Sequence, residues 1–328
     1  MSRLKVARAK SRPQRGEAPP PARWPASLHG RHLLSLRDLS RAEIESLLDW
    51  GAWLKAHRGL YRDALVGKTL ALLFEKPSLR TRATFQIAIE QLGGHALYLG
   101  PQEVGLGKRE SVKDISQNLC RWVDAVAARV FSHRHLAELA QHSSVPVINA
   151  LSDFEHPCQA LGDYLTLLER RGHLEGLSLA WVGDGNNVAH SLLFGAAKLG
   201  VRLAVATPPG YEPEASVVAA VKREGGQVLL THDPAEAVAG ADAVYTDVWI
   251  SMGQEGEAET RTQVFRPYQV NRELLRRARP GAFFLHCLPA RRGQEVTDEV
   301  MDSEASIVFD QAENRLHIQK AILLALLD

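Results

Sequence analysis

From Arg31 onward, short apolar runs alternate with stretches in which apolar residues recur every three or four positions. The short runs read as buried strands and the longer amphipathic stretches as helices, which is the rhythm of parallel sheets joined by crossover helices. In the first half the pattern predicts strands over 69–74, 95–99, 124–130 and 145–149. In the second half it predicts them over 177–183, 202–206, 227–230, 243–248, 282–287 and 306–309. The fold class that follows is α/β, with two doubly wound parallel-sheet domains joined by interdomain helices. The boundary falls at a helix over 156–171, where Leu161, Leu165 and Leu168 recur at helical spacing and Gly172 supplies a stop. This divides the chain into a first domain over 29–160 and a second over 161–311. A last helix, 312–328, is expected to pack back on the first domain.

Composition narrows the picture. With 328 residues, 45% hydrophobic and 23% charged, the chain is long enough for two packed domains. A net charge of +1 gives no electrostatic argument for nucleic acid or membrane partners. Cys120, Cys158 and Cys287 are three, widely spaced and without a CxxC pair, so they indicate neither a disulfide framework nor a zinc site. Cys120 and Cys158 read as buried packing residues, and His133 and His135 as solvated loop residues rather than a metal pair. No metal and no organic cofactor is expected.

Residues 1–28 stand apart. Seven Lys and Arg residues face a single acid, Glu17, among prolines 13, 19, 20, 21 and 25, which is the composition of a disordered basic arm. An acid-poor basic N-terminus is also what an organellar transit peptide looks like, but the prolines oppose an amphipathic helix. The expected location is therefore cytoplasmic, with the mitochondrial matrix as the alternative if the arm is a transit peptide.

Chemistry concentrates where a strand runs through Glu75-Lys76-Pro77-Ser78 into a helix. Ser78 is a natural N-cap, Phe85, Ile89 and Leu92 form the buried stripe, and Arg80, Thr81 and Arg82 occupy the first turn. A helix N-terminus offers free N–H groups and a partial positive charge, so hydroxyls and guanidiniums added there suit a phosphate. The plainer alternative is simple capping with solvated arginines, although the macrodipole disfavours cations in a first turn. In the second half, Asp247 ends a strand ahead of Ser251-Met252-Gly253. That places a carboxylate and a hydroxyl at the carboxyl edge of a parallel sheet, where such sheets bind ligands. Taken alone, Asp247 could merely cap a turn.

The stretch Ser78-Leu79-Arg80-Thr81-Arg82 resembles the carbamoyl phosphate motif of the aspartate/ornithine carbamoyltransferase family. Further matches follow in order: Ala128-Arg129-Val130-Phe131, His156-Pro157-Cys158-Gln159, Asp247-Val248-Trp249-Ile250-Ser251-Met252-Gly253, His286-Cys287-Leu288-Pro289 and Gln311-Ala312-Glu313-Asn314-Arg315. The similarity covers about residues 30 to 328, and its motifs lie far apart yet in the right order.

The resemblance implies transfer of the carbamoyl group of carbamoyl phosphate to the side-chain amine of L-ornithine, giving L-citrulline and phosphate in arginine biosynthesis. By the resemblance, Ser78, the Leu79 backbone, Arg80 and Thr81 hold the phosphate, with Arg129 and Arg315 adding charge. His156 donates toward the carbonyl oxygen, and Gln159 accepts from the carbamoyl amide. Asn187 and Asp247 meet the α-amino end of ornithine, Ser251 and the Met252 amide complete its recognition, and Cys287, the Leu288 carbonyl and Asp247 surround the reacting amine. Read without the other motifs, His156 is only a helix-start residue beside Pro157.

Two departures are visible. Leu79 replaces a common threonine, which matters little if that position works through its N–H. Gly105 stands where relatives often carry a residue reaching into a neighbouring subunit's phosphate site. The resemblance implies a homotrimer or a larger assembly of trimers. Carbamoyltransferases for putrescine, acylated ornithine or aspartate are the nearest alternatives. A dinucleotide-binding oxidoreductase is a remote one, because Gly183-Asp184-Gly185 lacks the third glycine of the nucleotide fingerprint.

Overall fold

The structure is a computed structural model that describes residues 20–22, 25–107, 109–251 and 253–328. Most of the expected arm, 1–28, lies outside these, as do Lys108 and Met252. The end of the arm is described: Ala26–Leu28 forms a 3-10 turn with Leu28 buried, so packed chain begins a few residues before the expected boundary.

Two parallel sheets are present. The first has the order β2-β1-β3-β4, with β1 Thr69–Phe74, β2 His95–Leu99, β3 Ala125–Arg129 and β4 Val147–Leu151. The second has the order β7-β6-β5-β8-β9, with β5 Ser178–Val182, β6 Arg202–Ala206, β7 Val228–Thr231, β8 Ala243–Thr246 and β9 Phe283–His286. Apolar residues cover both faces of each sheet, as all-parallel sheets require. The largest apolar cluster is shared between the domains. It joins Leu70, Leu72 and Phe74 of β1 to Leu179 and Trp181 of β5 through Leu161 and Leu165 of the Pro157–Arg171 helix and Ile322 and Leu323 of the Val308–Leu327 helix. That last helix lies against the Arg41–Ala56, Leu79–Gln91 and Pro157–Arg171 helices.

One strand expectation is corrected. Residues 306–309 contribute a single bridge, Ser306 to Phe284, after which the chain turns into the Val308–Leu327 helix, four residues earlier than expected. His133 and His135 lie in the first turn of a helix, His133–Gln141, instead of a loop. Cys158 is buried as expected, but Cys120 is only half-buried, its thiol 3.1 Å from the Ser143 hydroxyl. Among the described residues, no helix is long and apolar enough to cross a membrane.

The topology dictates where a site can form. In each sheet the strand order reverses once, between β1 and β3 and between β5 and β8, and a crevice opens at the carboxyl ends of those strands. The loops leaving β1, β3, β4, β5, β8 and β9 carry the candidate residues.

Candidate active site

Ser78 caps the Leu79–Gln91 helix, its hydroxyl accepting from Thr81 N at 3.3 Å. Leu79 is 80% exposed, so its side chain faces solvent and only its backbone can serve the site. Thr81 is buried and accepts from Arg315 Nη2 at 3.1 Å, while Arg315 Nη1 donates to Gln159 Oε1. The helix start is thereby tied across to the last helix and to the Pro157–Arg171 helix.

Arg129, at the end of β3, and Arg315 are both buried, and the Nε atom of each lacks a partner. Among the described residues, no carboxylate forms an ion pair with either. Burial, then the nearby charges of Arg315 and Arg80, brings Arg129 down to about 10. Burial likewise lowers Arg315, and it lowers Arg80 against the pull of Cys287 and Asp247. Two desolvated guanidiniums, Arg129 and Arg315, thus lie with the half-buried Arg80 beside them, an arrangement costing several kcal/mol for each buried ion unless an anion enters.

His156 caps the Pro157–Arg171 helix without a side-chain bond of its own. Its Nδ1 is buried and without a partner, and burial followed by Arg315 and Arg129 holds its pKa well below the usual imidazole value. The ring is therefore neutral at pH 7 and acts by hydrogen bonding. Gln159 lies one turn further along, its Nε2 donating to Asp163 Oδ1 at 2.7 Å.

Across the cleft, Asp247 accepts from Asn186 Nδ2 at 2.9 Å, from Val248 N at 2.8 Å and from the Cys287 thiol at 3.0 Å. Burial, reinforced by Asp247, pushes the Cys287 thiol well up, so it is a donor here and not a thiolate. The ligating atoms of Asp247, His286 and Cys287 lie within 4.8 Å of one another. Both ring nitrogens of His286 are engaged, however. Leu288 N donates to Nδ1 at 2.9 Å, which puts the ring hydrogen on Nε2, 3.1 Å from Glu295 Oε1. Leu288 has φ +58, a left-handed conformation that a branched side chain adopts only under constraint, as backbone beside functional sites often does.

The structure brings these residues together through contacts and charge: Ser78 meets Thr81, Arg315 meets Thr81 and Gln159, Arg315 and Arg129 act on His156, and Arg80 lies within electrostatic reach of Arg129, Cys287 and Asp247. Asn187 Nδ2 donates to Ser152 O at 2.6 Å, and the neighbouring Asn186 is the residue whose side chain meets Asp247. Ser251 sits at a loop turned by its own N–H to Gln254 Oε1 at 3.0 Å, and Met252 lies outside the described residues. Gly185 serves packing, since a Cβ there would lie 2.2 Å from Pro213 N. Protein backbone therefore fills the crook where a dinucleotide fingerprint would hold pyrophosphate. Sequence reasoning missed Asn186, whose position beside Asn187 at a helix N-cap was the available signal. It also missed Asp163, which accepts from Gln159, Tyr245, which bonds to Asp163, and Ser191, which accepts from His156 N, while Gln311 entered only as part of a family motif.

Residues 31–169 match the family model for the carbamoyl-P binding domain of aspartate/ornithine carbamoyltransferase, and residues 175–326 match that for its Asp/Orn binding domain. The chain belongs to the aspartate/ornithine carbamoyltransferase family. Within this family it is 52% identical over 303 residues to the ornithine carbamoyltransferase of Thermococcus kodakarensis, covering 90% of this chain and 96% of that one. It is also 52% identical over 303 residues to the anabolic ornithine carbamoyltransferase of Pyrococcus furiosus, with the same two coverages. The solved ornithine carbamoyltransferase structure from Pyrococcus furiosus superposes with a TM-score of 0.88 at 51% identity, covering 92% of this chain and 98% of that one.

Proposed function

We propose that this chain transfers the carbamoyl group of carbamoyl phosphate to the side-chain amine of L-ornithine, producing L-citrulline and phosphate in arginine biosynthesis. The observation that carries the reading is the pair of buried guanidiniums, Arg129 and Arg315, without carboxylate partners among the described residues, beside the free N–H groups of the Ser78-capped helix. A doubly negative phosphate supplies the missing charge. Ser78, the Leu79 to Thr81 backbone and Arg80 grip it, and Arg129 and Arg315 offset its charge as it leaves. Thr81, Arg129 and neutral His156 face the carbonyl oxygen and stabilise the oxyanion that forms when the amine attacks. Gln159 Oε1 accepts from the carbamoyl NH2. The ornithine ammonium, with an ordinary pKa near about 10.4, loses one proton to solvent before its nitrogen bonds to the carbonyl carbon; the carbon–oxygen bond to phosphate then breaks and the second proton of the attacking nitrogen leaves with the departing phosphate.

Asp247, Cys287 and the Leu288 carbonyl line the acceptor's place. Asn187, Ser251 and Met252 belong to its amino-acid end, with Asn186 joining them. A carboxylate at Asp247 suits the free ammonium of ornithine, which an acylated ornithine lacks, and a loop built for an amino acid has nothing to recognise on putrescine. A cytoplasmic homotrimer, or an assembly of trimers, accompanies this reading, and sedimentation of the purified protein checks the subunit number.

The test is direct. Purified protein is incubated with carbamoyl phosphate and, separately, ornithine, putrescine, acylated ornithine and aspartate, while ureido product and phosphate are measured. Ornithine is expected to give both products, and product from putrescine alone would overturn the assignment. Arg80→Ala should lower kcat by roughly 100-fold to 1,000-fold, the usual consequence of deleting one charge-stabilising donor.

A further inference from the structure

Beneath the cleft a single carboxylate joins the two half-sites. Asp163 is fully buried on the Pro157–Arg171 helix. Its Oδ1 accepts from Gln159 Nε2 and from Gln311 Nε2, both at 2.7 Å, and its Oδ2 accepts from the Tyr245 hydroxyl at 3.0 Å. Each donor leads to a different piece of the site. Gln159 belongs to the carbamoyl side and receives Arg315 on its oxygen. Tyr245 is on β8, two residues before Asp247. Gln311 uses its own Oε1 to hold His286 N at 2.9 Å, one residue before Cys287.

The chemistry of a carboxylate makes this more than a packing contact. In its ionised form it only accepts, so it turns the NH2 end of both glutamines inward and their carbonyl oxygens outward, toward Arg315 and His286 respectively. Three donors converge on one buried group, and a shift of any one of them changes the geometry available to the other two. Burial pushes the Asp163 carboxyl up to about 7, against the lowering effect of those same three donors and of Arg315. The bonds therefore hold the group against a strong desolvation cost.

We propose that Asp163 is a positioning residue that couples the two pockets: through Gln159 on one side, and Tyr245 and Gln311 on the other, it makes occupancy of the carbamoyl phosphate pocket raise affinity in the acceptor pocket. The proposal rests on the functional reading above and adds to it the residue through which the pockets communicate. Coupling of this kind is reciprocal, so carbamoyl phosphate should also bind more tightly once the acceptor pocket is filled.

The experiment measures the dissociation constant of norvaline, which is ornithine's amino-acid end without the reacting amine, in the absence and presence of saturating carbamoyl phosphate. In the parent protein carbamoyl phosphate should tighten norvaline by about 5-fold to 150-fold, the usual range of coupling between sites. Asp163→Asn replaces one acceptor with a donor and should bring that factor to within about twofold of unity. Tyr245→Phe removes one donor at almost constant volume, and should reduce the factor severalfold in a folded protein even if Asp163→Asn does not fold. Unchanged coupling in Tyr245→Phe, or in a folded Asp163→Asn, overturns the proposal. Failure of the parent to make citrulline would instead remove the functional reading, and this inference with it, so the two failures are told apart by the parent's own activity.

Discussion

At the scale of single residues, the position of His156 depends on a hydroxyl from the other domain. His156 N donates to Ser191 Oγ at 2.9 Å, and that hydroxyl donates in turn to Glu155 Oε2 at 2.9 Å. Ser191 therefore fixes the point at which the chain enters the Pro157–Arg171 helix, without touching the reactants. Ser191→Ala leaves a buried N–H unpaired, at about 1–3 kcal/mol. It also loosens the ring that must meet the carbonyl oxygen, and small misplacements of that kind cost up to roughly 100-fold in rate. We expect kcat to fall by about tenfold or more while affinity for carbamoyl phosphate stays near the parent's, since the phosphate grip lies elsewhere. Steady-state kinetics beside direct binding checks this, and equal losses in both would show that Ser191 supports the whole pocket.

At the scale of elements, the Pro157–Arg171 and Asn187–Leu199 helices cross so closely that a side chain is excluded. A Cβ on Gly195 would lie 2.3 Å from Cε2 of Tyr164, whose hydroxyl is held by Leu192 O. Gly195→Ala would gain about 1 kcal/mol in helix propensity but should lose about 1–3 kcal/mol to overpacking, because the fully buried ring has nowhere to turn. A lower urea midpoint is expected, and a higher one would mean that the ring yields.

The elements that were legible in the sequence are those whose boundaries are set locally. β1, β2 and β6 fall where expected because apolar runs end at glycine, charge or proline, and the 156–171 helix ends at Gly172 in its left-handed conformation. Residues 306–309 misled because Ile307, Val308 and Phe309 have strand propensity, which the burial of the last helix overrides. The same division holds at the site. Helix-start chemistry around Ser78 is local and readable, whereas Asp163 meets Tyr245 and Gln311 across separations of 82 and 148 positions that no local pattern encodes.

At the scale of the whole molecule, buried carboxyls make stability depend on pH. Glu155 is fully buried, where Ser191 Oγ and Leu36 N donate to it at 2.9 and 3.2 Å and its Oε1 has no partner. Burial, aided by Asp38 and opposed by the bonds from Ser35, Ser191 and Leu36, raises it to about 7. Between its unfolded value near 4.5 and that folded value, the native state holds more of a proton than the unfolded chain does. Stability attributable to this group is therefore complete below about pH 4.5 and declines as pH rises, with a slope of at most about 1.4 kcal/mol per pH unit, until it levels off above 7. Glu155→Gln keeps the shape and removes the titration. Urea unfolding at pH 5, 6 and 7 and fixed protein concentration should show a shallower decline for Glu155→Gln than for the parent, with the curves closest at pH 5 and furthest apart at pH 7. Parallel lines would mean that Glu155 is ionised in the native protein throughout, its charge offset by the Ser35, Leu36 and Ser191 donors alone.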